Sequence, residues 1–189
     1  VVDKTGTLTT GKPSVAHYVV STSFDEDSVF QIAASLEKAS EHPLARAIVK
    51  AARKRKTVLV EPKNFLSCAG EGVTGTIEGV QVIVGKAGYL AKHGVKLENE
   101  LLGKARALQA SAHTVVWVSI AGKSAGIFGI TDQVKKSTPG AIRDCHDMGL
   151  RVVMCTGDNQ KTADYVAQQL DIDEINADMS SKEKHFFVR

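Results

Sequence analysis

Two short polar loops, each following a strand-like run, constrain what this chain can fold into. The first is Asp3–Lys4–Thr5–Gly6–Thr7–Leu8–Thr9, directly after Val1–Val2. The second, Thr156–Gly157–Asp158–Asn159, follows the run over 151–155 near the other end of the sequence. In an open parallel sheet, the loops that bind ligands gather beyond the carboxyl ends of the strands. Asp3 and Thr156 can meet there if one sheet takes both strands, with most of the intervening chain inserted.

The texture along the chain supports that division. After Ile130, helical spacing over 139–148 ends at Gly149, a strand covers 151–155, and a helix covers 160–170. A short strand over 174–177 and a helix running from Ser181 to Arg189 follow. Strands alternating with helices imply a parallel sheet. The middle reads differently. Val29, Ile32, Ala33, Leu36, Leu44 and Ile48 have helical spacing. Glu41–His42–Pro43 divides that segment, because proline suits a first helical turn and not a helix interior, and Ser40 is the expected cap of the second helix. Between 58 and 85 the period falls to two, with Val80, Val82 and Val84 alternating with Gln81 and Ile83 and a hairpin turn at Glu78–Gly79. A helix over 97–110 precedes two apolar strands, 114–120 and 124–130, joined at Ala121–Gly122–Lys123. The expected class is α/β: a parallel-sheet domain over 1–22 and 131–189, interrupted by an α+β domain with an antiparallel sheet over 23–130. Ser21–Thr22–Ser23 and Gly129–Asp132 are the expected linkers, about which the inserted domain would close.

Composition narrows the partners. A hydrophobic content of 43% is enough to build a core, and a net charge of +3 is too small and dispersed to argue for nucleic acid. The basic residues from Arg46 to Lys56 alternate with Ala and Val, as on the solvated side of an amphipathic helix. Cys68, Cys145 and Cys155 form no C-x-x-C pair, so reduced thiols are expected. No stretch approaches the ~18 consecutive apolar residues of a membrane span. The chain starts two residues before its most informative loop, and is expected to be a soluble, monomeric piece of something longer.

Each loop suggests chemistry. A carboxylate such as Asp3 can act as a nucleophile and store a phosphoryl group as an acyl phosphate. The Thr156 hydroxyl and the Gly157 amide can bind phosphoryl oxygens where the helix over 160–170 begins. The Thr5 carbonyl and the Asp3 carboxylate are hard oxygen donors suited to Mg²⁺. Lys182 opens the last helix and can neutralise phosphate charge, although lysines at helix starts are also common on surfaces. Gly70–Glu71–Gly72–Val73–Thr74–Gly75 has the G-x-G-x-x-G spacing, but a strand and not a helix follows it, which rejects a dinucleotide fold. Lacking Cβ atoms, Gly70 and Gly72 let backbone approach a ligand closely.

The strings at Asp3–Thr9 and Thr156–Asn159 resemble the phosphorylation domain of the P-type ATPases, within the haloacid dehalogenase superfamily. Ser40–Glu41–His42–Pro43–Leu44–Ala45 resembles the Ser-Glu-His-Pro-Leu signature of the heavy-metal-transporting members, copper pumps in particular. The resemblance implies a Rossmannoid phosphorylation domain and an inserted nucleotide-binding domain. It assigns catalysis to Asp3, Lys4, Thr5, Thr156, Gly157, Asp158 and Lys182, and nucleotide binding to Glu37, His42, Gly70 and Gly72. It implies ATP and Mg²⁺, the latter at Asp3 and Thr5. It also implies transmembrane and actuator domains in a full-length, multi-pass membrane protein, with the present residues at the cytosolic face of the membrane. Three departures stand beside it. No Gly-Asp-Gly-x-x-Asn-Asp motif occurs, so the phosphorylation domain is expected to be incomplete and the chain inactive alone. Ser180–Ser181 replace the proline usual near the third motif's lysine, and Lys86 stands where many copper pumps carry asparagine. Competing readings are a zinc or cadmium pump, a non-catalytic nucleotide-binding fragment, and a soluble phosphatase of the superfamily. Thr5 argues against the last, which usually has a second aspartate there.

Overall fold

The computed structural model describes residues 1–187. In chain order the elements begin with β1 (Val2–Asp3), β2 (Thr9–Val20), α1 (Glu26–Glu37) and α2 (Pro43–Lys54). Then come β3 (Lys63–Cys68), β4 (Gly72–Ile77), β5 (Val80–Gly85), α3 (Ala87–Lys92) and α4 (Asn99–Ala110). The remainder is β6 (Thr114–Ile120), β7 (Lys123–Val134), α5 (Thr138–Asp147), β8 (Val153–Cys155), α6 (Gln160–Leu170), β9 (Glu174–Asn176) and α7 (Ser181–Phe187). Val188 and Arg189, the end of the expected last helix, lie outside the described residues.

The chain divides into two compact units, Val1–Lys12 with Ala110–Ala112 and Asp132–Arg189, and Pro13–Gln109 with His113–Thr131. The first crossing falls before the expected residue 22 because Thr9–Val20 is one continuous strand. Gly11 and Pro13 hide that strand in the sequence; β2 stands at one end of its sheet, the position where proline is tolerated. Ser21–Thr22–Ser23 is therefore no linker. Its Ser21 amide donates to the Ala125 carbonyl at 2.9 Å, and its hydroxyl to Glu98 Oε1 at 3.0 Å, all within the second unit.

In the first unit, β1, β8 and β9 form a parallel sheet in that order. Its core is built from Leu8, Ile142, Val152, Met154, Ala163 and Val166. In the second unit a six-stranded sheet runs β2-β7-β6-β5-β4-β3 and is antiparallel from β7 to β3. Val82, Val84, Val116, Val118 and Phe128 pack with α1 and α2, whereas Ile83, Val115, Trp117 and Ile127 join the core of α3 and α4. Consecutive residues thus enter opposite cores, the period-two consequence of a pleated strand covered on both faces. Both hairpin turns place two residues at positive φ, Glu78–Gly79 (50° and 83°) and Ala121–Gly122 (50° and 75°), as two-residue hairpins of type I′ require. The short α3 has too few turns to show a period in sequence.

Pro43 occupies the first turn of α2, and the cap is His42, not the expected Ser40. Proline at the first helical position makes its predecessor the cap. The Ser40 hydroxyl instead accepts from the His42 amide at 3.3 Å. The other end of α2 is held by Arg55, whose guanidinium pairs with Glu26 and Asp27 and lies 4.4 Å from the Phe30 ring centroid. Phe30 in turn stacks edge-on against Tyr18 and Phe128 at 4.9 and 4.8 Å. Phe30 is 1% exposed and Val58 76%. Phe30→Ala should therefore destabilise the second unit by ~3–5 kcal/mol, and Val58→Ala should stay within ~0.5 kcal/mol of wild type. Urea unfolding followed by the single tryptophan, Trp117, measures both.

Candidate functional site

In the first unit Asp3 ends β1 directly opposite Cys155, the last residue of β8, so Thr156–Gly157–Asp158 emerges beside it. The chain leaves Asp3 through a tight turn in which Thr5 has φ −76°, ψ 120° and Gly6 has φ 80°, ψ −14°. These are the central angles of a type II turn, whose third residue must accept a left-handed backbone. Lys4 is 4% exposed, and its ammonium lies 2.6 Å from Asp158 Oδ2. A buried charge is tolerable only when paired, so the pair holds the two loops together.

Asp3 has its own lysine, and it is not the expected one. Lys184 Nζ lies 2.6 Å from Asp3 Oδ1, whereas Lys182 is exposed and makes no ion pair among the described residues. The start of α7 explains the difference. The Ser180 amide donates to Glu183 Oε2 at 2.7 Å and the Glu183 amide to Ser180 Oγ at 3.3 Å. This is a capping box. It fixes Ser180 as the cap, and the next turn presents Lys184. The S-x-x-E spacing of Ser180–Glu183 carried that signal in the sequence.

Gly157 is crowded, since a Cβ there would meet the Met179 carbonyl at 3.2 Å. The Asp178 amide donates to the Asp158 carbonyl at 2.8 Å and the Met179 amide to the Thr156 carbonyl at 3.0 Å, tying the loop before α7 to the Thr156 loop. Thr156 is buried, and its hydroxyl accepts from the Asp158 amide at 3.1 Å. Burial pushes the Cys155 thiol up from its ordinary range.

Sequence reasoning also missed the residues that brace the Asp3 loop. Asp132 accepts from the hydroxyls of Thr9 and Thr10 at 2.6 and 2.9 Å and from the Lys12 amide at 3.2 Å. Lys135 donates to the Gly6 carbonyl at 2.6 Å, and the Thr138 hydroxyl to the Leu8 carbonyl at 2.8 Å. Read only as the end of a linker, Asp132 gave no sign of this.

In the second unit Glu37, His42, Gly70 and Gly72 line one cleft of about 300 Å³, alongside the apolar Val84 and Val116. Apolar walls with a few polar groups suit a flat organic ligand. His42 Nδ1 accepts from the Leu44 amide at 3.2 Å, which leaves the neutral imidazole's proton on Nε2. Gly70 has φ 73° with open space where a Cβ would stand. Gly72 answers a different need. A Cβ there would meet the Val84 carbonyl at 2.4 Å and Gly85 Cα at 2.8 Å, so its bareness serves the close pairing of β4 with β5.

A strand-end carboxylate with its own lysine, beside a Thr-Gly-Asp loop on the neighbouring parallel strand, defines an α/β phosphohydrolase-like fold carrying an inserted domain. Residues 1–185 match the haloacid dehalogenase-like hydrolases, and the chain belongs to that family. Its relatives are P-type ATPases, as the motifs led one to expect. A copper-transporting P-type ATPase of Rhizobium leguminosarum bv. viciae is 42% identical over 188 residues, covering 100% of this chain and 22% of its own length. The chain thus spans about a fifth of that curated relative. Among solved structures, a zinc-transporting PIB-type ATPase in an E2·Pi state matches 98% of this chain and 30% of its own, at 29% identity and a TM-score of 0.88. The catalytic domain of a CPx-ATPase, described with conformational changes upon nucleotide binding, matches 98% of this chain and 63% of its own at 27% identity and a TM-score of 0.68. No helix among the described residues is long and apolar enough to cross a membrane.

Glu37 supplies a pH dependence. It is 7% exposed, and burial pushes its carboxyl up to about 7 while Ser40 partly opposes the shift. The folded state therefore keeps a proton that the unfolded chain releases near pH 4.5, and stability must fall as pH rises between those values. From pH 5 to pH 8 this loss should be on the order of 2 kcal/mol. Urea midpoints should show Glu37→Gln losing much less stability than wild type over that interval; equal slopes would contradict the assignment.

Proposed function

We propose that this chain is the ATP-binding and hydrolysing cytosolic unit of a P-type ATPase that exports copper(I) or silver(I), with Asp3 as phosphoryl acceptor. The observation that carries the reading is the Asp3 carboxylate at a strand end with Lys184 on one of its oxygens and Thr156–Gly157 beside it. The second unit would bind ATP in the Glu37–His42 cleft, as the nucleotide-binding domain. Transmembrane and actuator domains of the full-length protein would be its partners, the phosphorylated state driving the metal across a membrane.

In that mechanism an Asp3 oxygen attacks the γ-phosphorus, the bond to the bridging oxygen breaks with its electron pair leaving on ADP, and water later cleaves the acyl phosphate. Lys184 neutralises charge at the carboxylate and the arriving phosphoryl group. Thr156 and the Gly157 amide hold the phosphoryl oxygens, and Lys4 with Asp158 keeps that loop against Asp3. Residues here fit Mg²⁺: the Asp3 side chain is 42% exposed and the Thr5 carbonyl belongs to the adjoining turn. Mg²⁺ keeps several waters and binds largely through nucleotide phosphates, so these few oxygen donors would serve it. When bound, it supplies neutralisation of phosphate charge.

The 42% identity to a copper pump favours copper(I). The 0.88 TM-score to a zinc-transporting ATPase favours zinc as the second reading. Stimulation of the full-length protein's ATPase by Cu⁺ or Ag⁺ against Zn²⁺ separates the two.

Mass spectrometry of the full-length protein, quenched in acid after ATP and Mg²⁺, tests the site itself. Wild type should carry an acyl phosphate on Asp3, and Asp3→Asn none. Lys184→Ala should slow its formation by roughly 10²–10³-fold, the effect of removing one group that stabilises transition-state charge. Lys182→Ala should remain close to wild type. Phosphate on Asp3→Asn would displace Asp3 as acceptor.

A further inference from the structure

Among the described residues lining the Glu37–His42 cleft, Lys86 is the only lysine or arginine. Its backbone is fixed on both sides. The Lys86 amide donates to the Glu71 carbonyl at 2.9 Å, and its carbonyl accepts from the Tyr89 and Leu90 amides at 2.9 and 3.2 Å. The preceding residue, Gly85, pairs directly with Gly72 of the glycine loop. The Lys86 side chain is exposed and makes no ion pair among the described residues.

The other charges at the cleft are compensated. Glu71 is bridged by Lys92 at 3.3 Å. Glu37, with its carboxyl pushed up to about 7 by burial, carries only part of a charge at neutral pH. The cleft therefore offers apolar walls and one lysine whose backbone is fixed and whose ammonium makes no ion pair among the described residues. An ammonium is a compact point charge with three donors on a flexible arm, suited to a mobile polyanion and indifferent to a neutral base.

We propose that Lys86 binds the phosphate chain of the nucleotide held in this cleft, so that the cleft selects nucleotides over nucleosides by charge. The proposal rests on the nucleotide reading of the cleft given above. It implies a charge contribution that salt screens, because an exposed pair weakens as the Debye length shortens.

Calorimetry on the 189-residue chain with ATP, ADP and adenosine, at about 50 mM and about 300 mM NaCl, tests it. Lys86→Gln should weaken ATP and ADP about tenfold at low salt, equivalent to about 1.4 kcal/mol. It should leave adenosine nearly unchanged and flatten the salt dependence of ATP binding. Lys86→Arg should keep most of the ATP affinity, and Lys86→Glu should weaken ATP more than Lys86→Gln does. A Lys86→Gln chain that binds ATP as wild type does overturns the assignment of Lys86 alone. So does an equal loss for adenosine and ATP, since that marks a packing role. Wild-type chain binding neither ATP nor adenosine overturns the reading of the cleft, and Lys86 falls with it.

Discussion

The ion pair between the buried Lys4 and the half-exposed Asp158 is the contact on which the candidate phosphorylation site depends. Strands of two and three residues cannot by themselves hold two loops in a fixed relation, since β1 and β8 share only the pairs Val2–Met154 and Asp3–Cys155. Lys4 adds a link of 2.6 Å between the loops. Removing Asp158 would strand the Lys4 ammonium, which is nearly inaccessible to water, whereas removing Lys4 would leave a carboxylate that solvent partly reaches, so the first change should cost more than the second. Both carboxylates carry a lysine, and the more exposed one, Asp3 with Lys184, is the proposed phosphoryl acceptor. Acceptance by Asp132 and donation by Lys135 and Thr138 then brace the chain from Gly6 to Lys12.

The cleft of the second unit is shaped by a different constraint, close backbone packing. Gly72 faces Gly85 across β4 and β5 with no space for a Cβ on either, the Gly85 position meeting the Glu71 carbonyl at 2.5 Å. Glycine here is a packing requirement that fixes the rim of the cleft, and the rim in turn fixes the Lys86 backbone. On the opposite side Pro43 sets the start of α2, so His42 must cap it. One ring nitrogen is thereby spent on the helix and the other keeps a proton. Glu37, at the end of α1, is buried enough to hold its proton near neutrality. The polar groups of the cleft are thus set by helix ends and strand pairing, not by loops.

Much of this was legible in the residues. Periods of 3.6 and two located α1, α2 and the β4–β5 hairpin, and the alternation of strands with helices after Ile130 announced the parallel sheet. What stayed hidden has physical reasons. β2 contains Gly11 and Pro13, which read as breaks but are tolerated at a sheet edge. The six-stranded sheet is buried on both faces, so its central strands lose the apolar–polar alternation and do not say which side each residue takes. Lys184 was missed because Lys182 opens the last helix and so drew the assignment; the capping box between Ser180 and Glu183, which sets the helix phase, was the overlooked signal. Asp132 and Lys135 act through contacts more than a hundred residues distant in sequence, and no local pattern marks such partners.

The Asp3 carboxylate, with Lys184 and the Thr156 loop, is the group proposed to receive a phosphoryl group. A crystal structure of the protein with beryllium trifluoride and Mg²⁺, which together mimic an acyl phosphate, tests this most directly. Beryllium should be bonded to an Asp3 carboxylate oxygen, with Lys184 Nζ, the Thr156 hydroxyl and the Gly157 amide within hydrogen-bond distance of the fluorines and Lys182 remaining in solvent. Beryllium trifluoride on another carboxylate, or on Asp3 with Lys182 in place of Lys184, would contradict it.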